Sequence, residues 1–207
     1  MKRKIILCYG DSNTWGYNPQ DETRFSKLDR WTGVLEASLG SNYLVVEDGL
    51  NGRTTNLEDP DFPDRNGLDG LRESLANHKD IYLIILMLGT NDLKKKFSRG
   101  STEIAKGILS LVEMIKESET CSGESKVLIL PPPILGQKIP YESFQYSTVQ
   151  SISKELPRLY REIAEKYSAL YLNTQVEAGL EDGIHLDIGG HRQLGGFLYE
   201  SLVRILP

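Results

Sequence analysis

Two groups of polar residues in this 207-residue sequence have the side chains needed for nucleophilic catalysis. Ser12 lies in GDSN at 10–13, and Asp182 and His185 lie in DGIHL at 182–186. A serine hydroxyl is a weak nucleophile until a base accepts its proton, and histidine is the side chain that titrates near neutrality. A carboxylate three residues before the histidine can orient the imidazole. These residue types are therefore compatible with Ser-His-Asp chemistry.

Gly52 and Asn91 are candidate hydrogen-bond donors to a carbonyl oxygen under attack. Gly52 lies in NGRTT at 51–55, and Asn91 lies in GTND at 89–92. A glycine has no Cβ to hinder close approach of its backbone N–H, and an asparagine amide donates without carrying a charge. Donors aimed at the developing oxyanion stabilise the transition state of acyl transfer.

Each of these residues also has a purely structural explanation. A serine after a strand often caps the next helix, and glycine, asparagine and Asp-Gly pairs are frequent in turns. A single histidine is more often structural than catalytic. The combination favours catalysis, because the serine, the two candidate donors and the Asp-x-x-His pair each follow a different predicted strand.

Short apolar runs alternate with helical patterns along the chain. The central three runs are almost continuously apolar, as expected of strands that are covered on both faces. The alternation predicts an α/β fold in which helices cover a parallel sheet. The predicted strands are residues 4–9, 43–47, 81–88, 126–130 and 169–173.

Apolar stripes at helical spacing predict the connecting helices. Stripes begin at Trp31 and at Leu68, and a helix over 102–118 is expected to have Ser101 or Thr102 as its cap. A helical stretch over about 144–167 is expected to be interrupted by Pro157, which cannot donate a backbone hydrogen bond. The last stripe, from 194 to 205, follows a predicted N-cap at Asp187.

The candidate groups should meet at one edge of this sheet. The carboxyl ends of parallel strands lie side by side, and doubly wound folds bind ligands there. Two loops at the same edge, 17–30 and 49–66, are longer than typical connections and are candidate interface or lid segments.

The composition is that of an ordinary globular protein, with 39% hydrophobic and 26% charged residues. A formal net charge of −5 argues against nucleic acid or an anionic membrane as the main partner. The apolar run that ends at Tyr9 is too short for a signal peptide, and no run approaches a membrane span. We therefore expect a cytoplasmic protein without membrane insertion.

No metal or organic cofactor is expected. Cys8 and Cys121 form neither a disulfide framework nor a metal-ligand spacing. Prolines interrupt the spacing of Asp59, Asp61 and Asp64, and this stretch lacks the glycine and glutamate of a calcium-binding EF-hand loop.

The four motifs together resemble those of the SGNH hydrolases, the esterase superfamily often called GDSL-type. GDSN, NGRTT, GTND and DGIHL occur in the family's order and span nearly the whole chain. The resemblance implies one catalytic domain over 1–207, with a three-layer α/β/α architecture and a flavodoxin-like sheet of five parallel strands. It also implies that Ser12 is the nucleophile, that His185 is the general base and that Asp182 orients the imidazole. The implied oxyanion hole consists of the backbone N–H groups of Ser12 and Gly52 and the side-chain amide of Asn91.

Asn13 departs from the family pattern, which usually has leucine after the nucleophile. The stretch GDSNTWGYNP is similar to a cytoplasmic branch of arylesterases and acyltransferases that is often oligomeric, so the resemblance implies a homo-oligomer. Asn13 and Trp15 are predicted to border the substrate pocket, together with Pro132 and Ile134 after the fourth strand. Arg53 is a candidate for recognising a polar or anionic leaving group.

These features predict a serine esterase that hydrolyses short-chain acetyl or aryl esters through an acyl-serine intermediate, with acyl transfer as a further activity. The expected partner is a small-molecule ester. Alternatives within the superfamily are a carbohydrate O-acetylesterase, a lysophospholipase and a thioesterase. A non-enzymatic alternative is an anion- or acyl-binding module, although the loop after the first strand lacks the glycine patterns of phosphate-binding loops.

Three further residues are assigned structural roles. Asp11 is expected to hold the loop around Ser12 by hydrogen bonds. Asp187 competes with Asp182 as the partner of His185, but its position favours capping of the last helix. His191 lies within that helix beside two glycines and is expected to be structural.

Overall fold

The computed structural model describes residues 3–119 and 125–206, so that Cys121 lies outside the described residues. Within these ranges, five parallel strands form one sheet in the order β2-β1-β3-β4-β5. This is the flavodoxin-like order, and it confirms the predicted fold class. The strands are β1 (Lys4–Gly10), β2 (Tyr43–Gly49), β3 (Ile81–Met87), β4 (Lys126–Leu130) and β5 (Leu170–Tyr171).

Helices cover both faces of the sheet and complete the three layers. One face is covered by α2 and α6, which contact each other, and the other by α3, α4 and α5. The helices of the described residues are α1 (Ser12–Trp15), α2 (Trp31–Leu39), α3 (Gly67–Asn77), α4 (Ser101–Glu117), α5 (Tyr146–Lys166) and α6 (Ile188–Leu202).

The strand β1 shows how the two apolar cores form. Successive side chains of a strand point to opposite faces. Ile6 and Cys8 therefore pack with α2 and α6, whereas Leu7 and Tyr9 pack on the other side. All four side chains are fully buried, because β1 lies between β2 and β3 and is covered on both faces.

The structure corrects the predicted interruption of the helix around 144–167. The helix α5 runs from Tyr146 to Lys166 without a break and contains Pro157. A proline inside a helix costs about 3 kcal/mol. Leu156, Tyr160 and Ala164 on the buried face of α5 offset this cost by packing into the apolar core.

Two other boundaries differ from the sequence-based expectation. Gly100 is the N-cap of α4, in place of Ser101 or Thr102, and its N–H donates to the side chain of Glu103 at 3.2 Å. The strand β5 contains two residues and pairs only with β4, whereas the apolar run predicted five. An edge strand lacks a second neighbour, so less of the apolar run is drawn into the sheet.

No helix within residues 3–119 and 125–206 is both long enough and apolar enough to cross a membrane. The thiol of Cys8 is free and buried, and burial raises its pKa.

Gly195 and Gly196 provide a matched test of the packing between α2 and α6. A Cβ at Gly195 would lie 2.7 Å from Cβ of Val34 and 2.8 Å from the backbone oxygen of Trp31, whereas a Cβ at Gly196 would meet no atom within 4 Å. We expect Gly195→Ala to lower the free energy of unfolding by about 1–3 kcal/mol, because the helices must move apart. Gly196→Ala should raise it by about 0.5–1 kcal/mol, since alanine favours a helix over glycine.

Urea unfolding of the two variants and the unchanged protein measures both effects. Equal shifts of the two midpoints would contradict a close approach of α2 and α6 at Gly195.

Candidate active site

Ser12 is held at the carboxyl edge of the sheet by a short helix. It is the first residue of α1, which begins two residues after β1 ends at Gly10. The carboxylate of Asp11 caps this helix by accepting a hydrogen bond from the N–H of Asn13 at 2.9 Å, in agreement with its expected role. Burial raises the pKa of Asp11 to about 6, although the bond from Asn13 opposes the rise. The helix ends after one turn at Gly16, whose φ is 87°.

Ser12, His185 and Asp182 form a continuous chain of hydrogen bonds. Oγ of Ser12 lies 2.9 Å from Nε2 of His185, and Nδ1 of His185 lies 2.5 Å from Oδ2 of Asp182. Burial acts to raise the pKa of Asp182, but hydrogen bonds from the His185 ring and from backbone N–H groups hold it below the ordinary value. Because the ionised carboxylate can only accept, Nδ1 carries a proton and Nε2 is free to accept the serine proton.

A single turn holds Asp182 and His185 together. Oδ1 of Asp182 accepts hydrogen bonds from the backbone N–H groups of Ile184 and His185, at 2.9 and 3.0 Å. The ring of Tyr17 lies 4.5 Å from the imidazole, centroid to centroid. Asp187 instead caps α6 by accepting from the N–H of Gly190 at 2.7 Å. Asp182 is therefore the carboxylate paired with His185.

The three residues of the predicted oxyanion hole line the same cavity. Gly52 has a φ of 84°, a backbone conformation that favours glycine. The backbone N–H groups of Ser12 and Gly52 have no hydrogen-bond acceptor among the residues that the structure describes. Nδ2 of Asn91 donates to the backbone oxygen of Arg53 at 3.0 Å, which leaves its second hydrogen free. These N–H groups can therefore donate to a bound oxyanion.

A buried carboxylate links the loop of Gly52 to the loop of Asn91. Asp92 accepts hydrogen bonds from the backbone N–H and the hydroxyl of Thr55, at 2.9 and 2.6 Å, and from Arg99 at 2.7 Å. Burial raises the pKa of Asp92, and Thr55 and Arg99 oppose that rise. No local sequence pattern identifies Asp92 or its partners, because Thr55 lies 37 positions away.

Ser12 and His185 open into a cavity of 560 Å³. The two long loops contribute Tyr17, Glu22, Phe62 and Arg65 to its walls, and the chain after β3 contributes Lys94. None of these five residues was a candidate from the sequence, although both loops were expected at this edge. The remaining apolar wall consists of Pro140, Phe144 and Ile184.

Asn13 does not line this cavity. Its side chain is buried, Nδ2 donates to the backbone oxygen of Ile184 at 3.3 Å, and Oδ1 accepts from the N–H of Leu186 at 2.8 Å. These two hydrogen bonds hold the backbone directly before and directly after His185. The amide therefore connects the helix that carries Ser12 to the turn that carries His185.

The other predicted pocket residues do not line this cavity either. Trp15 is outside the cavity wall, and its backbone oxygen accepts from Nε of Arg24 at 2.6 Å. Arg53 is buried, forms an ion pair with Asp48 at 2.9 Å and stacks on the ring of Tyr9 at 4.0 Å. The structure places Pro132 and Ile134 at a different cavity, of 350 Å³.

His191 and the acidic loop residues have structural partners. His191 is fully buried, burial lowers its pKa to about 4, and its Nδ1 accepts a hydrogen bond from the N–H of Trp31 at 3.3 Å. Lys96 contacts the carboxylates of Asp59 and Asp61. In the ranges 3–119 and 125–206, no group of three or more histidine, cysteine, aspartate or glutamate side chains is arranged to hold a metal ion.

Solved structures of two esterases are similar to this chain over nearly their whole length. An aryl esterase from M. smegmatis is 37% identical, with a TM-score of 0.88 over 98% of this chain and 100% of that chain. A carbohydrate acetylesterase from Sinorhizobium meliloti is 33% identical, with a TM-score of 0.89 over 99% of this chain and 100% of that chain. The comparison with curated proteins gives no match.

The sequence also matches a family model over most of its length. Residues 8–193 match the model of the GDSL-like lipase/acylhydrolase family, and this range contains all four motifs. The family model and the two similar esterases agree with the resemblance drawn from the motifs. The chain therefore belongs to the GDSL-like lipase/acylhydrolase family and is a carboxylic ester hydrolase.

Proposed function

We propose that this esterase hydrolyses short-chain acyl esters through an acyl-enzyme intermediate on Ser12. The observation that carries this proposal is the continuous hydrogen-bonded chain from Ser12 through His185 to Asp182, at the wall of an open cavity. The unpaired N–H groups of Ser12 and Gly52 beside it support an oxyanion hole, to which Asn91 adds its side-chain amide.

In the acylation step, Oγ of Ser12 attacks the carbonyl carbon of the ester while Nε2 of His185 accepts the hydroxyl proton. The carbonyl oxygen becomes an oxyanion and accepts hydrogen bonds from the donors of Ser12, Gly52 and Asn91. The bond to the leaving oxygen then breaks, and His185 returns the proton to the leaving alcohol. Asp182 stays ionised throughout and stabilises the imidazolium.

In the deacylation step, a water molecule takes the place of the alcohol. Nε2 of His185 accepts a proton from this water, whose oxygen attacks the acyl carbon. Collapse of the second tetrahedral intermediate breaks the bond to Oγ of Ser12, which recovers its proton from His185. Another alcohol in the place of water would give acyl transfer, which we retain as a further proposed activity.

Acetyl and aryl esters are the proposed substrates. The two similar structures are an aryl esterase and a carbohydrate acetylesterase, and the cavity combines apolar side chains with the polar Glu22, Arg65 and Lys94. A carbohydrate O-acetyl ester is therefore the second candidate. The lysophospholipase and thioesterase alternatives remain predictions that a substrate panel tests, and the family assignment replaces the binding-module alternative.

The organisation of the whole protein also belongs to this proposal. We treat residues 1–207 as one catalytic domain, and homo-oligomerisation remains a prediction from the family resemblance.

Ser12→Ala tests the proposed nucleophile. We expect the turnover of 4-nitrophenyl acetate to fall by at least about 10⁴-fold, because removal of one member of such a triad abolishes its joint action. A serine-reactive phosphonate should add its mass to a peptide containing Ser12, as measured by mass spectrometry. Ser38→Ala is the control, since that exposed hydroxyl bonds to its own helix and should leave turnover unchanged. Undiminished turnover by Ser12→Ala would remove Ser12 from the mechanism.

Asp182→Asn and Asp187→Asn distinguish the two carboxylates near His185. Asp182→Asn should lower kcat by about 10³–10⁴-fold, because an amide stabilises neither the required tautomer nor the imidazolium. Asp187→Asn should change kcat by less than about threefold, since asparagine is also a good helix N-cap. Steady-state kinetics with 4-nitrophenyl acetate measure both, and the reverse order would reassign the triad.

Asn13→Leu tests the two hydrogen bonds by which Asn13 holds the His185 turn. It also introduces the residue that is usual in the family. The substitution leaves the backbone oxygen of Ile184 and the N–H of Leu186 without their partners, at about 1–3 kcal/mol each. We expect kcat to fall by about 10–100-fold, because a small displacement of a catalytic group has a large effect on rate.

The control for Asn13→Leu is Asn42→Leu, which makes the same exchange at an exposed position before β2. The measurements are kcat and the thermal unfolding midpoint. A lower midpoint with unchanged kcat would assign Asn13 to stability alone.

A further inference from the structure

Lys94 is a cavity-lining cation without an internal partner. Its side chain is partly buried, and within residues 3–119 and 125–206 it forms no hydrogen bond or ion pair. Burial lowers its pKa, and the negative charge of Asp59 opposes that effect without forming a close pair. A partly buried charge without a partner is unfavourable unless a ligand or solvent supplies one.

Three nearby cations have carboxylate partners. In these pairs a carboxylate balances the positive charge, whereas Lys94 has no such partner among the described residues. The pairs are Lys96 with Asp59 and Asp61, Arg53 with Asp48, and Arg99 with Asp92.

The backbone around Lys94 explains why its side chain reaches the cavity. Asn91–Leu93 form a 3₁₀ turn, and Lys94 follows directly, with its N–H bonded to the oxygen of Asn91. Residues three positions apart lie on the same side of a 3₁₀ turn. Lys94 therefore lines the same cavity as Asn91 and Ser12.

Arg65 is a second cation in the cavity wall. Its Nε donates to the backbone oxygen of Asn51 at 2.7 Å, and its Nη1 donates to that of Pro63 at 2.8 Å. Both acceptors are neutral, so they fix the guanidinium in place and leave its charge uncompensated. Nη2 has no hydrogen-bond partner in the described part of the chain and can donate to a ligand.

Glu22 is the opposing charge in the cavity wall, and it forms no ion pair with a described residue. The charged residues that line the cavity are thus two cations and one anion. The protein as a whole has a formal net charge of −5, so the net positive charge of the cavity lining contrasts with the rest of the chain. The lining therefore has a net positive charge, and a net positive cleft attracts anionic ligands.

We propose that Lys94 and Arg65 recognise an anionic group on the ester, so that the preferred substrates are esters that bear a carboxylate. This inference rests on the proposed function, because it places the anion in the cavity that contains Ser12. The carboxylate can belong to the leaving alcohol or to the acyl group, and both sources present the same chemistry to the two cations.

Matched substrates distinguish these two sources. For the leaving group, 4-acetoxybenzoate is compared with the neutral 4-acetoxybenzamide. For the acyl group, the mono-4-nitrophenyl ester of succinic acid is compared with 4-nitrophenyl butyrate, after subtraction of the enzyme-free rate. We expect kcat/KM to be higher for the anionic member of at least one pair. The pair in which it is higher identifies the position of the carboxylate.

Lys94→Met tests the cation while retaining a long side chain. The ratio of kcat/KM for the anionic substrate to that for the neutral substrate should fall by about 10-fold or more, as expected for loss of a charge-assisted hydrogen bond. Lys94→Arg should retain most of the ratio. Lys79→Met is the matched control, because it removes the same charge at a distant position. Lys79 is exposed and precedes β3, at the opposite edge of the sheet. Lys94→Gln replaces Lys94→Met if the latter does not fold.

Binding provides a readout that does not depend on turnover. Isothermal titration calorimetry of Ser12→Ala with benzoate and benzamide should show tighter binding of benzoate, and adding Lys94→Met should remove the difference. Equal ratios in Lys94→Met and the unchanged protein, or equal binding of benzoate and benzamide, would overturn the inference while leaving Ser12-dependent hydrolysis intact. Lys94-dependent benzoate binding by a protein that cleaves no ester would support the anion site and overturn the proposed function.

Discussion

The hydrogen bond between Ser12 and His185 joins parts of the chain that are 173 positions apart. Its length of 2.9 Å depends on two local structures, each of which has its own stabilising hydrogen bonds. On one side, Asp11 caps the one-turn helix that begins with Ser12. On the other side, Asp182 fixes the turn that contains His185. The hydrogen bonds within each structure do not fix its position relative to the other. Tertiary contacts of the fold must therefore bring the two together.

The side chain of Asn13 makes the direct connection between them. It belongs to the helix of Ser12, and its amide bonds to the backbone before and after His185. An amide suits this position because it donates and accepts at the same time, whereas leucine can do neither. The departure from the usual family residue therefore changes the connection between the proposed nucleophile and base, and leaves the cavity wall untouched.

Much of the architecture could be predicted from the sequence, because local patterns determine it. Apolar runs of five to eight residues correspond to the four longer strands, and the four polar motifs follow strands whose ends share one edge. The roles of Asp92, Thr55 and Arg99 could not be predicted, since their hydrogen bonds connect residues from separate loops. The continuity of α5 through Pro157 also could not be predicted from the sequence, because it depends on tertiary packing of the buried face of the helix.

The positions of the cations at the cavity also could not be predicted from local sequence patterns. Arg53 follows Gly52 in sequence, which suggested contact with substrate, but its guanidinium bonds to the oxygen of Gly10 and to Asp48 beneath the loop. Consecutive residues in a turn point in different directions, so an adjacent position is a poor guide to a shared surface. Lys94 lies three residues after Asn91, and the intervening 3₁₀ turn returns its side chain to the same side. The helical repeat thus places Lys94 in the cavity wall, whereas adjacency to Gly52 does not place Arg53 there.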